Sequence, residues 1–151
     1  MKLIDFDFRI WSVKKEKYLD DLYNNIISLS SDKSIKGYNR NYKILAIEFS
    51  PYDSIPLMND NEECFEIELF TGIYDKKGKK VYENDIVKVK SLYDYFLAKI
   101  RIHKAGTFYF ERKNGDYLGS LHYLVEDKGY TIEIIGNIHE NKELLNETKR
   151  L

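Results

Sequence analysis

The chain has 151 residues, 43% of them hydrophobic, and carries 24 basic against 25 acidic side chains for a formal charge of -1. That length and apolar content suffice for one real core, and the near-neutral balance excludes a global field drawing the chain to nucleic acid or anionic lipid. Cys64 is the lone cysteine, which excludes an internal disulfide, and no run approaches the roughly 20 apolar residues of a membrane span.

The first residues, Met1-Lys2-Leu3-Ile4-Asp5-Phe6-Asp7, are broken by acids, so neither a signal peptide nor a membrane association is expected, and the cytoplasm is the expected compartment. Phe6, Phe8 and Ile10 alternate with Asp7, Arg9 and Trp11, the pattern of a half-buried strand. Leu19, Leu22, Ile26 and Leu29 then fall at helical intervals, predicting an amphipathic helix over residues 18–29. Residues 30–39 read as a polar loop and residues 42–49 as a strand. Residues 51–63 hold both prolines and read as irregular connection.

From residue 65 the pattern is more regular. Phe65, Ile67 and Leu69 alternate with Glu66 and Glu68, which places the two acids on a solvated strand face. Asp75 can accept a hydrogen bond from backbone two residues on, and Gly78 supplies the positive φ that closes a hairpin before the strand Ile86-Val87-Lys88-Val89-Lys90. Ala98, Ile100 and Ile102 form a further strand, Lys104-Ala105-Gly106 turns the chain, and Phe108 and Phe110 begin the return. Residues 118–125 fit a short helix or a strand. Residues 130–135 read as a strand and residues 141–149 as a terminal helix that docks through Leu144 and Leu145. The expected fold is mainly β (α+β): an SH3-like small β-barrel core over residues 65–138, an N-terminal strand, helix and irregular extension over 1–64, and a short C-terminal helix over 139–151, all in one domain.

The hairpin segment runs Thr71-Gly72-x-x-Asp75-x-x-Gly78-x-x-x-Tyr82-x-x-Asp85-Ile86-Val87. Two more blocks stand in order around it, Phe8-Arg9-Ile10-Trp11 and Ile134-Ile135-Gly136-Asn137-Ile138-His139-Glu140-Asn141. Together they resemble the YopX family, small proteins of phages and prophages. Asn84 stands where that family usually has glycine, and Asn is the residue that best tolerates the same positive φ. The resemblance implies a phage or prophage setting, and a structural motif built on Thr71, Gly72, Asp75, Gly78, Asp85, Gly136 and Asn137. Residues 14–62 match nothing in the pattern.

The residues nominate no catalytic group, metal ligand or cofactor. His103, His122 and His139 show no short ligand spacing. Cys64 follows Glu62 and Glu63, which disfavour a thiolate. Asp85 precedes Ile86 in a turn where its oxygens should accept backbone N–H groups, and His139 reads as part of a helix entry. The basic feature is Lys76, Lys77, Lys79 and Lys80 around Gly78, flanked by Tyr74 and Tyr82, a tip able to grip phosphates and stack on bases or simply to keep an edge solvated. With 13 Tyr and 8 Phe, rings exceed what one small core needs, and Tyr18, Tyr23, Tyr93, Tyr95 and Tyr109 are expected to be partly exposed. The reading that follows is a non-catalytic phage accessory protein that binds a phage or host macromolecule and assembles as a homo-oligomer through Leu22 and Ile26. Nucleic-acid binding through the lysine tip is the alternative, and a metal-dependent hydrolase the third reading.

Overall fold

The computed structural model describes residues 2–19, 25–30, 44–49, 53–56 and 65–146. The chain divides into two compact units, one formed by Met1–Arg9 with Glu68–Leu151 and the other by Ile10–Ile67. The described residues are mainly β, with strands β1 (Phe8–Ser12), β2 (Lys17–Tyr18), β3 (Asn25–Ser30), β4 (Ile44–Phe49), β5 (Asp53–Pro56), β6 (Phe65–Tyr74), β7 (Lys80–Tyr82), β8 (Asp85–Lys90), β9 (Tyr95–Ile102), β10 (Phe108–Glu111), β11 (Tyr117–Ser120) and β12 (Thr131–Asn137). None of their helical turns is long and apolar enough to cross a membrane.

The larger unit is organised by a five-stranded antiparallel sheet, in the order β11-β10-β9-β8-β12, curled into a half-barrel. Period-two alternation builds its inner face. Val87, Val89, Ala98, Ile100, Phe110 and Ile132 point to one side and join Ile73, Val81 and Leu121 in a core whose members are at most 5% exposed. Each large aliphatic so buried contributes roughly 1.5 to 3 kcal/mol. The chain meanders from β8 to β11, makes one π-helical turn at Tyr123–Asp127, and returns as β12 beside β8. β6 and β7 form the predicted hairpin, with the register shifting between Phe70 and Tyr74.

In the smaller unit β1 and β2 pair Trp11 opposite Tyr18, their rings edge to face at 4.9 Å. β3, β4 and β5 form a three-stranded antiparallel sheet. This corrects the expected helix over 18–29, because Asn25–Ser30 is strand β3, pairing Ile27 with Ile47 and Leu29 with Leu45. The β-branched pair Ile26-Ile27 suits a pleated surface, and a ladder against β4 outweighs helical spacing that four apolar residues only loosely define. Leu22, Tyr23 and Cys64 lie outside the described residues. The connection over 51–63 also gains structure: Asp53–Pro56 is β5, and Pro56 sits at the edge of the order, where a missing N–H costs nothing.

The C-terminal helix is a single 3-10 turn, Lys142–Leu145, within the described residues. Its N-cap residue Asn141 makes no cap bond to it. The Asn141 side-chain oxygen accepts instead from the Asn137 backbone N–H at 3.2 Å, so the helix start is left without its usual support.

Candidate functional site

The hairpin tip is built as its residues predict and then tied down. Gly78 has φ +80°, and the Asp75 side chain accepts from Lys77 N–H at 2.8 Å and Lys79 N–H at 2.9 Å. The same carboxylate also accepts from Ile134 N–H of β12 at 3.2 Å, and Lys76 N–H donates to the Ile132 carbonyl. Burial pushes the Asp75 carboxyl up, but the N–H groups of Lys79, Ile134 and Lys77 outweigh it and hold the group below the usual range. Thr71 donates its hydroxyl to the Val81 carbonyl across the hairpin.

The four lysines of the tip are exposed, and three of them are already matched. Lys76 and Lys77 both pair with Glu133 of β12, and Lys80 pairs with Asp7 at 2.6 Å. Hydrogen bonds from Lys76 and Lys77 hold the Glu133 carboxyl down at about 2. Lys79 has no ion-pair partner among the described residues. Tyr82 donates its hydroxyl to Asp7 at 2.7 Å, while Tyr74 is 54% exposed and packs edge-on to Phe70. The tip therefore presents much less free positive charge than its sequence implies.

The chemistry-bearing residues converge elsewhere, behind the hairpin. Glu68 is wholly buried, which corrects its placement on a solvated strand face. One of its oxygens takes the Arg9 Nε–H at 2.6 Å, and the other takes the Asn84 amide at 2.8 Å and lies 2.7 Å from His139 Nε2. Arg9 reaches on to Asp85 at 2.8 Å and stacks 4.9 Å from the Tyr82 ring centroid. Asp85 fulfils its expected turn role as well, its second oxygen accepting from Tyr82 N–H at 2.8 Å. Burial pushes the Asp85 carboxyl up to about 6 even though Arg9 and the Tyr82 N–H favour its charged form. Asn84, at φ +68°, uses the side chain that a glycine would lack to join Glu68 and Arg101.

His139 is placed by its own loop rather than by a helix entry. The Asn137 side-chain oxygen accepts from the N–H groups of His139 and Glu140, each at 3.0 Å, which folds residues 137–140 into a turn aimed at Glu68. Glu68 and His139 are donor types that bind metals, but here they bond to each other, and the Arg9 guanidinium is shared between Glu68 and Asp85. His103 and His122 lie in different surroundings, against Tyr109 and Phe108. No buried side-chain polar atom among the described residues lacks a hydrogen-bond partner. The network can hold β1, β6, the turn before β8 and the C-terminal loop in one arrangement.

The outer side of the β8–β9 hairpin is different. Tyr95, opposite Lys90 in the ladder, is 50% exposed, and Leu97, opposite Lys88, is 40% exposed. The adjoining turn leaves Leu92 81% and Tyr93 97% exposed. The ammonium groups of Lys88 and Lys90 lie 4.8 and 5.6 Å from the Tyr95 ring centroid. With Lys76, Thr131, Ile132 and Glu133 they line a groove of about 290 Å³. Alternation marked Tyr95 as exposed. Lys88 and Lys90 were visible only as the polar positions of a strand.

A model of the YopX family, described as YopX protein, matches residues 7–146. Among solved structures, the chain is similar to protein EF1440 from Enterococcus faecalis, with 26% identity, 93% of this chain and 97% of that chain covered, and a TM-score of 0.53. It is also similar in fold to protein yopX from Bacillus subtilis, with 20% identity, 91% and 95% coverage and a TM-score of 0.55. No curated protein matches the sequence.

Proposed function

We propose that this chain, which belongs to the YopX family, is a non-catalytic binding protein that contacts a macromolecular partner through the outer side of β8 and β9. One observation carries the reading: Tyr93, Tyr95, Leu92 and Leu97 stand 40% to 97% exposed on one hairpin. Apolar side chains grouped on one hairpin mark contact surfaces, and tyrosine is enriched there. The polar motif residues support the same reading from the other side. Thr71, Asp75, Asp85 and Asn137 are engaged with backbone N–H and C=O groups, and Glu68, Arg9, Asn84 and His139 with one another. A reacting group must face its substrate, and Glu68 and Asp85 are at most 1% exposed.

We read the curled five-stranded sheet as an SH3-like barrel core, and the setting as the cytoplasm of a bacterium carrying a phage or prophage. Self-association belongs to the same reading, with Leu22 and Ile26 as its contacts. The test compares the parent with the Tyr95→Ser/Leu97→Ser variant, both immobilised and exposed to extract from prophage-induced cells. The variant should keep its circular dichroism and lose the captured partner. Identical capture by both proteins would refute the assignment of this face.

A further inference from the structure

We infer that the groove formed by Lys76, Lys88, Lys90 and Tyr95 is a site for single-stranded nucleic acid, its phosphates held by the lysines and a base stacked on Tyr95. The inference rests on the binding reading above and names the partner.

Three observations meet there. The first is charge. Lys76, Lys88 and Lys90 line the groove with Glu133 as its only carboxylate among the described residues, and that carboxylate is shared between Lys76 and Lys77. The groove thus keeps a cationic surplus within a chain whose formal charge is -1. The second is the aromatic surface. Tyr95 stays half exposed although two ammonium groups lie within 5.6 Å of its ring centroid. The ammonium groups lie over the ring, and the surface of Tyr95 that they leave open can stack a base while the lysines meet the flanking phosphates. Tyr93, almost fully exposed two residues away, offers a second ring.

The third is rigidity. Tyr95, Lys88 and Lys90 sit on paired strands, with Lys90 opposite both Tyr95 and Thr131 and Lys88 opposite Glu133, and the turn that carries Lys76 is tied to β12 by its N–H on the Ile132 carbonyl. Asp94 does not intrude, because its carboxylate is turned back onto the Tyr95 N–H at 2.7 Å. Binding here needs little ordering of the site, which favours affinity from few contacts. A single strand fits this arrangement better than a duplex, whose bases are already stacked on one another and offer the tyrosine no face.

The experiment is fluorescence anisotropy of labelled oligothymidine and oligouridine, each about 12 nucleotides long, against the full chain across a salt series. A duplex of the same length is the control. Parent protein should bind the single strands at low salt and the duplex more weakly. Tyr95→Ala should weaken single-strand binding roughly 5- to 150-fold, the equivalent of one lost stacked base. Lys88→Ala/Lys90→Ala should flatten the salt slope by about 0.7 for each phosphate contact removed. All three side chains are at the surface, and circular dichroism verifies folding. Absence of single-strand binding at low salt overturns the inference, as does binding that ignores both variants. If oligonucleotides fail while partner capture still depends on Tyr95 and Leu97, the face binds protein and the functional reading survives; if both fail, so does that reading.

Discussion

Asp75→Ala removes one carboxylate that serves three backbone donors, so its cost can be built up donor by donor. The N–H groups of Lys77 and Lys79 lie in an exposed turn, where water replaces the lost acceptor, and each loss costs about 0.5 to 1.5 kcal/mol. The N–H of Ile134 is in β12, where water is a poorer substitute, and stranding a buried donor costs about 1 to 3 kcal/mol. The sum centres near 4 kcal/mol, which in a chain of this length lowers Tm by about 8 to 16 °C. Because folding depresses the Asp75 carboxyl, its stabilisation is present above the unfolded value of 3.8 and is lost as pH falls through the lower folded value. The parent should therefore lose its advantage over the variant in strong acid. Thermal unfolding followed by circular dichroism at neutral pH and near pH 2 checks both statements. A Tm unchanged at neutral pH would refute the view that this residue joins the hairpin to the sheet.

Gly78→Val forces a branched side chain to φ +80° with nothing within 4 Å to clash, so the cost should be the backbone term alone, about 1 to 2 kcal/mol in urea unfolding. Gly136→Ala is a steric case. The added carbon would meet the Asn141 side chain at 2.5 Å, and amide exchange at Asn137, whose N–H that side chain accepts, should rise while distant amides stay protected. Arg9→Met should cost about 3 to 5 kcal/mol in denaturant titration by leaving Glu68 and Asp85 buried without their cation, and Arg9→Met/Glu68→Met/Asp85→Leu should recover only part of that, because Asn84, His139 and the Tyr82 N–H lose their carboxylate partners. Asp85 titrates with the opposite sign to Asp75. Its raised folded value stabilises the protein below about 3.8 and that benefit is gone above about 6, so the parent should lose on the order of 2 kcal/mol relative to Asp85→Asn between pH 4 and 7.

What could be read from the sequence was what is local. Asp75 reaches N–H groups two and four residues on, and Gly78 closes a loop begun three residues earlier, so adjacent residues carried the whole argument. Glu68 was misplaced because its partners Arg9 and His139 lie 59 and 71 residues away, and because alternation along β6 does not hold. Buried positions fall at Glu68, then at Thr71 and Ile73, an inversion of parity across the register shift between Phe70 and Tyr74, where Gly72 has φ +82°. A one-residue slip exchanges the two faces of a strand, and only the pairing partner reveals where it occurs. The ion pairing of the lysine tip was illegible for a related reason. Its counter-charges, Asp7 and Glu133, come from segments far along the chain, and no local pattern connects them.

That inversion also gives the buried charges a purpose beyond stability. An ion pair with buried members seldom outperforms an apolar replacement of equal volume, so Glu68 and Asp85, buried against the part-exposed Arg9, are poorly explained as a source of folding energy. They are better explained as a register lock. If β6 slipped by one residue, Glu68 would turn away from Arg9 and Asn84, and a carboxylate would be stranded without partners while the guanidinium lost one of its two acids. Asn84 strengthens the lock, since its positive φ sets the turn into β8 and its amide holds Glu68 while Arg101 of β9 holds its oxygen. The turn fixes where β8 begins, and β8 carries Lys88 and Lys90 to the outer face opposite Leu97 and Tyr95. The network can thus govern a contact surface that it never touches, and substitutions within it should alter binding only through the position of that strand.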